Sequence, residues 1–226
     1  MKAKSISLAS LISLFFVSSM VPGNTLKCQE KQNPLPQFLF PSFAKGIVLM
    51  NDGRKMTAIL DYNMVDEEMV FQQGNTYMVL DKPEEVDTVF LQNRKFVYIE
   101  KAFYEVTVKG SLPFFIQHKS KYTQAGTNTA YGMKSQTNAE ISYSSFKSGN
   151  QVRQIDVPDN MTVTPATSYW VKQNGELKKF TTERQLFKLF PDMEKEIKEF
   201  ISKSGADIKT REGLMKVGNF INGLEK

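Results

Sequence analysis

The chain holds one histidine, His118, and one cysteine, Cys28, and that inventory bounds its chemistry. A Ser-His-Asp triad would have to use His118 as its base. A Cys-His pair would need Cys28 to meet His118 from far along the chain. No Gly-x-Ser-x-Gly elbow supports the first reading. Zinc sites built from several His and Cys ligands are excluded by count. Asp52, Asp61, Asp66 and Asp81 stand near turn residues but lack the spacing of a calcium loop. Neither a phosphate-cradling Gly-Lys loop nor a dinucleotide fingerprint occurs, so no metal or cofactor is expected. Carboxylates remain, because glycoside hydrolysis needs only two of them across a cleft. Glu67, Glu68, Glu100 and Glu105 fall in strand-like sequence, where carboxylates are ordinarily solvated. A carboxylate-dependent hydrolase is therefore the unfavoured alternative.

Binding residues are easier to nominate. Residues 119–151 are rich in Ser, Thr, Asn and Gly, with Tyr122, Tyr131, Tyr143 and Phe146 dispersed among them. A structureless connection of that length is uncommon in a compact domain. Tyr with Ser, Gly and Asn supplies adaptable contacts at modest entropic cost. His118 ends the strand that leads into this tract. His118, Tyr122, Tyr131, Tyr143 and Phe146 are thus the expected binding set. Trp170, beside Tyr169, reads as a core anchor in preference to a stacking platform.

The stretch Phe96 to His118 must position that set. It is dense in aromatic and β-branched residues and has a turn signal at Lys109-Gly110-Ser111. Phe103 to Val108 and Leu112 to His118 read as the arms of a hairpin. Keeping the apolar faces together opposes Val108 to Leu112, Val106 to Phe114 and Tyr104 to Ile116. Short alternating runs precede it at Gly46–Met50, Met56–Tyr62, Glu68–Gln72, Tyr77–Leu80 and Val86–Leu91. Asp52-Gly53 and Asn174-Gly175 mark tight hairpin turns. After Phe180 the apolar period changes from two to that of a helix. Thr182 with Gln185 forms a capping box, Glu194–Lys198 and Glu199–Lys203 are i,i+4 pairs, Gly205 stops a helix and Thr210 starts another. These signals predict an α+β fold, mainly β: an antiparallel sandwich or barrel with two or three C-terminal helices packed on it.

Residues 1–23 read as a secretory signal peptide, with Lys2 and Lys4 before a short apolar run. Residues 24–37 read as a polar tether, 38–180 as the β domain and 181–226 as the helical segment. Lys27 before Cys28 departs from the small residue that lipidation requires, so Cys28 is read as an exposed, unlipidated thiol. No later stretch is apolar enough to span a bilayer. The formal charge of +5 is a mild, scattered excess and does not indicate nucleic acid.

The closing pattern Leu186-Phe187-Lys188-Leu189-Phe190-Pro191, Ile197-Lys198-Glu199-Phe200-Ile201, Leu214-Met215-Lys216 and Asn219-Phe220-Ile221-Asn222 resembles the ending of uncharacterised secreted proteins of the Bacteroidetes. Gly46 to Tyr62, Met69-Val70-Phe71, Phe103-Tyr104-Glu105-Val106 and Ala130-Tyr131-Gly132 are similar to such chains as well. The resemblance implies a Gram-negative envelope setting, periplasmic or at the outer membrane, and carries no catalytic motif. The expected role is a non-enzymatic binding or assembly module of the cell envelope, whose partner is an envelope protein or a small ligand. The alternative is a carrier of a small apolar or glycan ligand in a barrel-like cavity.

Overall fold

The computed structural model describes residues 35–124, 147–148, 151–152, 155, 157 and 161–225. Strands β1 (Ala44–Met50), β2 (Lys55–Asn63), β3 (Glu68–Gln73) and β4 (Thr76–Val79) form a meander. A 3-10 turn, Pro83–Glu85, then leads into β5 (Val86–Leu91), which pairs with the other side of β1. β6 (Arg94–Ile99), β7 (Ala102–Val108) and β8 (Phe114–Gln117) continue outward from β5. β9 (Ser120–Gln124) leaves the sheet. The pair β10 (Lys147–Ser148) and β11 (Gln151–Val152) borders β4. β12 (Met161–Pro165) joins β9 in a separate two-stranded ladder. β13 (Ser168–Gln173) returns beside β8, and β14 (Glu176–Phe180) forms the far edge. The result is α+β and mainly β: one twelve-stranded antiparallel sheet, open between β10 and β14, with helices following it. The sheet does not close, so the barrel form of the expectation is set aside.

Local chemistry explains the turns. Gln92 with Asn93, Glu100 with Lys101, and Asn174 with Gly175 all take positive φ at both central positions. That is the turn whose twist suits a two-residue hairpin. Only the third announces itself by an Asn-Gly pair. Glu100 therefore belongs to a turn, and Glu67, at φ 58, does too; neither is a strand carboxylate.

The register sorts side chains onto two faces. One inner-face row crosses eight strands: Met56, Val48, Val89, Phe96, Glu105, Ile116, Tyr169 and Phe180 stand directly opposite one another in succession. At its β1–β6 end the row belongs to a buried cluster with Leu60, Tyr62, Met69 and Phe103. At its β8–β14 end it belongs to a second cluster that the helices cover.

The central hairpin departs from the expected register. Val106 lies opposite Phe115 and Val108 opposite Phe114, with Thr107 as an extra residue between them. Its hydroxyl donates to the Phe114 carbonyl at 3.0 Å. This bulge lets Val108 and Phe114 face the helices while Tyr104 meets Phe115 edge-on on the opposite face. Period-two counting cannot see a bulge, and it therefore placed Tyr104 with Phe114.

Three helices cover the β7–β8–β14 part of the inner face: α1 (Glu183–Leu189), α2 (Glu194–Ser204) and α3 (Arg211–Leu224). Thr182 accepts the Gln185 N–H, while the Gln185 side chain accepts the Thr181 N–H at 2.7 Å, one residue earlier than a standard capping box. Gly205 ends α2 at φ 62, and Thr210 caps α3 by accepting the Gly213 N–H. Leu186, Ile197, Leu214, Val217 and Ile221 are buried on Phe114 and Phe180. α3 comes so close that a Cβ on Gly218 would lie 2.9 Å from Phe114 and 3.0 Å from Val108. Gly218→Val should therefore lower stability by about 1–3 kcal/mol through overpacking. Urea unfolding of the variant checks this, and an unchanged midpoint would refute the tight α3 contact.

Candidate functional site

The inner-face row contains one charge. Glu105 sits between Phe96 and Ile116 with its side chain fully buried. A lone buried carboxylate is costly unless paired and hydrogen-bonded. Three side chains answer it. Arg94 on β6 lies 3.2 Å from Oε2. His118, just beyond β8, places Nε2 at 2.7 Å from the same oxygen. Since a carboxylate only accepts, that nitrogen carries the proton. Arg211, the first residue of α3, donates through Nε to Oε1. Burial would raise the Glu105 carboxyl, but the His118 and Arg211 hydrogen bonds and the Arg94 charge outweigh it and hold it below the usual carboxylate range. Arg94 also lies over the Phe40 ring at 5.1 Å. The cluster thus ties β6, β7, β8 and α3 together where the two apolar clusters meet.

Of the expected binding set, His118 is turned inward to Glu105, with 11% of its side chain exposed. Tyr122 lies on β9 opposite Val163, half-buried. Tyr131, Tyr143 and Phe146 lie outside the described residues. His118 and Tyr122 are therefore placed on a packed junction and a separate ladder. Of the carboxylates considered for hydrolysis, two are engaged in the same way: Glu67 accepts from Gln117 and Lys119, and Glu105 from its three partners. Trp170 is half-buried, edge-on to Tyr104, and its Nε1 donates to Gln117 and Ser168. No group of three or more His, Cys, Asp or Glu side chains that could hold a metal occurs among the described residues.

A different region has the form of a site. Among the described residues the helices pack on β7, β8 and β14 and not on β1–β4, and the inner face there opens into an apolar groove of about 470 Å³. Val48, Leu60 and Met69 form its buried floor. Met56, Ala58, Phe71, Met78 and Leu80 form its walls, and Asp81 stands at the rim. The volume lies within the ~300–1,000 Å³ range of small-molecule sites. Methionine at three of these positions gives a soft, polarisable lining that adapts to a ligand's shape. The signal was in the sequence as the alternation Met56-Ala58-Leu60, Met69-Phe71 and Met78-Leu80. The alternation marks strands, and nothing in it says which face a helix covers.

Asp61 lies on the opposite face of β2, wholly buried. Its Oδ1 accepts the N–H groups of Tyr62 at 2.6 Å and Phe40 at 3.3 Å, while Oδ2 has no hydrogen-bond partner among the described residues. Burial pushes the carboxyl up to about 7, against the lowering effect of those two bonds.

Comparison with protein-family models, curated proteins and solved structures found no match.

Two outcomes follow. Glu105→Gln should lower stability by about 3–5 kcal/mol, because it removes the buried carboxylate that the partly buried Arg94 and Arg211 guanidiniums answer; urea unfolding at neutral pH measures this, and a loss below ~1 kcal/mol would contradict the pairing. Asp61 is protonated in the folded chain over a range where the unfolded chain has lost the proton. Its raised value therefore favours folding at low pH, and stability falls as pH climbs from ~4 to about 7. Asp61→Asn should flatten that slope, which unfolding curves at a series of pH values will register. A slope equal to wild type would place the titration elsewhere.

Proposed function

We propose that this chain is a non-enzymatic binding module of the cell envelope that carries a small apolar ligand in the groove of β1–β4. The observation that supports it is the groove itself: an apolar concavity of about 470 Å³, lined by Met56, Met69 and Met78 beside Phe71 and Leu80, that no helix among the described residues covers. A sheet of this kind ordinarily hides such a face under a helix or a second sheet. Here the helices are spent on the β7–β14 part. Acid–base chemistry has little support, since the central carboxylate is neutralised by three partners within the fold. Export through residues 1–23, a periplasmic or outer-membrane-associated location and kinship with secreted Bacteroidetes proteins belong to the same reading. No helix among the described residues is long and apolar enough to cross a membrane.

The test uses the neutral fluorophore N-phenyl-1-naphthylamine, whose emission rises in apolar surroundings. Saturable one-to-one binding is expected. Ala58→Trp, placed in the groove wall, should weaken it at least tenfold while the far-UV circular dichroism stays unchanged. Equal affinity in wild type and Ala58→Trp would remove the groove from the reading.

A further inference from the structure

The outer face of the same strands carries a second pattern. Thr57, Ile47, Phe90 and Lys95 stand opposite one another across β2, β1, β5 and β6. In the next row Ile59 lies opposite Lys45, and in the row beyond Ile47 Lys55 lies opposite Leu49. Ile47, Ile59 and Phe90 are 42%, 42% and 43% exposed, large values for apolar side chains on the central strands of a sheet. The lysines therefore surround them on the same surface. A shallow depression of about 540 Å³ at the Lys45 end is lined by Lys45, Ile47, Phe90, Arg94, Lys95 and Lys109 among its residues, and it has no acidic lining residue. Lys45, Lys55, Lys95 and Lys109 are in no salt bridge among the described residues. The Arg94 charge is already held by Glu105.

We infer that this outer face docks on an anionic lipid surface. The charges choose the occupant. Unpaired lysines around exposed Phe and Ile match a layer that is negatively charged at its headgroups and apolar just beneath them. A peptide partner adding as a strand is disfavoured by the topology, because β1 and β5 each have a strand hydrogen-bonded on both sides. Only side chains are offered here, over a two-dimensional patch, which suits a surface better than a filament. This inference is independent of the apolar groove, which opens on the other face.

The exported protein is floated with vesicles of phosphatidylcholine alone or mixed with phosphatidylglycerol. It should float with the mixed vesicles, release at high salt, and ignore neutral ones. A juxtamembrane lysine contributes ~1 kcal/mol, so Lys45→Glu/Lys55→Glu/Lys95→Glu should weaken binding by about 100-fold or more. The charge-matched control Lys188→Glu/Lys195→Glu/Lys216→Glu, at exposed helix positions, should bind like wild type. Phe90→Ser, which alters no charge, should weaken the interaction at physiological salt and leave N-phenyl-1-naphthylamine binding intact. Equal floating with neutral vesicles, equal loss in the two triple variants, or tighter binding to polyglutamate than to mixed vesicles would each overturn the inference.

Discussion

The fold depends on how one buried carboxylate is neutralised. Glu105 interrupts a row that is otherwise apolar or aromatic from Met56 to Phe180. Its three partners come from separate parts of the chain: β6, the end of β8, and the first turn of α3. No local segment can satisfy it. The ion cluster is stable only when the sheet has its native register and α3 has docked with Arg211 at the right height. A hydrophobic residue at this position would bury as well but would not demand that geometry, since apolar contacts are non-directional. The polar cluster therefore adds specificity to a core whose stability comes from the aromatic and aliphatic contacts on either side of it.

From that junction the division of labour follows. On one side the helices seal Phe114, Phe180 and their neighbours. On the other side the same face of the sheet continues without cover from a described helix, and the apolar residues of β1–β4 line a groove. The reverse face repeats the contrast. Tyr104, Phe115 and Trp170 close against one another near β7, β8 and β13, while Ile47, Ile59 and Phe90 stay open near β1 and β5. One half of the sheet is thus occupied with holding the fold together, and the other half offers surface on both faces.

Much of the architecture was legible in the sequence because it rests on local rules. The strands from β1 to β6 are marked by short apolar runs between turn residues. Thr182, Gly205 and Thr210 mark helix ends by their own chemistry, and Asn174-Gly175 fixes its turn. The failures share a different origin. The Thr107 bulge conserves composition and changes only counting, so no residue type announces it. The turns at Gln92-Asn93 and Glu100-Lys101 place left-handed backbone on residues other than glycine, forced by the strands on either side. The candidate site was legible only in part. Glu105 flanked by Tyr104 and Val106 could have been suspected of burial, but its partners Arg94 and Arg211 are separated from it by 11 and 106 positions. Which apolar face stays uncovered is decided by where the helices fall, a tertiary fact with no sequence period.

The order of pairing along the sheet bears on how the chain reaches this state. β1 to β4 and β5 to β8 are built from neighbours in sequence, apart from the single return of β5 to β1. β13 must instead find β8 across a gap in which Ser168 meets Gln117, 51 positions away. Closing a loop of that size loses chain entropy before any contact compensates. The β1–β4 meander that bears the groove can therefore assemble from neighbours in sequence. The sealed half needs long-range contacts as well: Phe114 is covered and Glu105 meets Arg211 only where α3 packs on β7 and β8. Until β13 arrives, the most apolar edge of the nascent sheet is β8, the strand that β13 will cover.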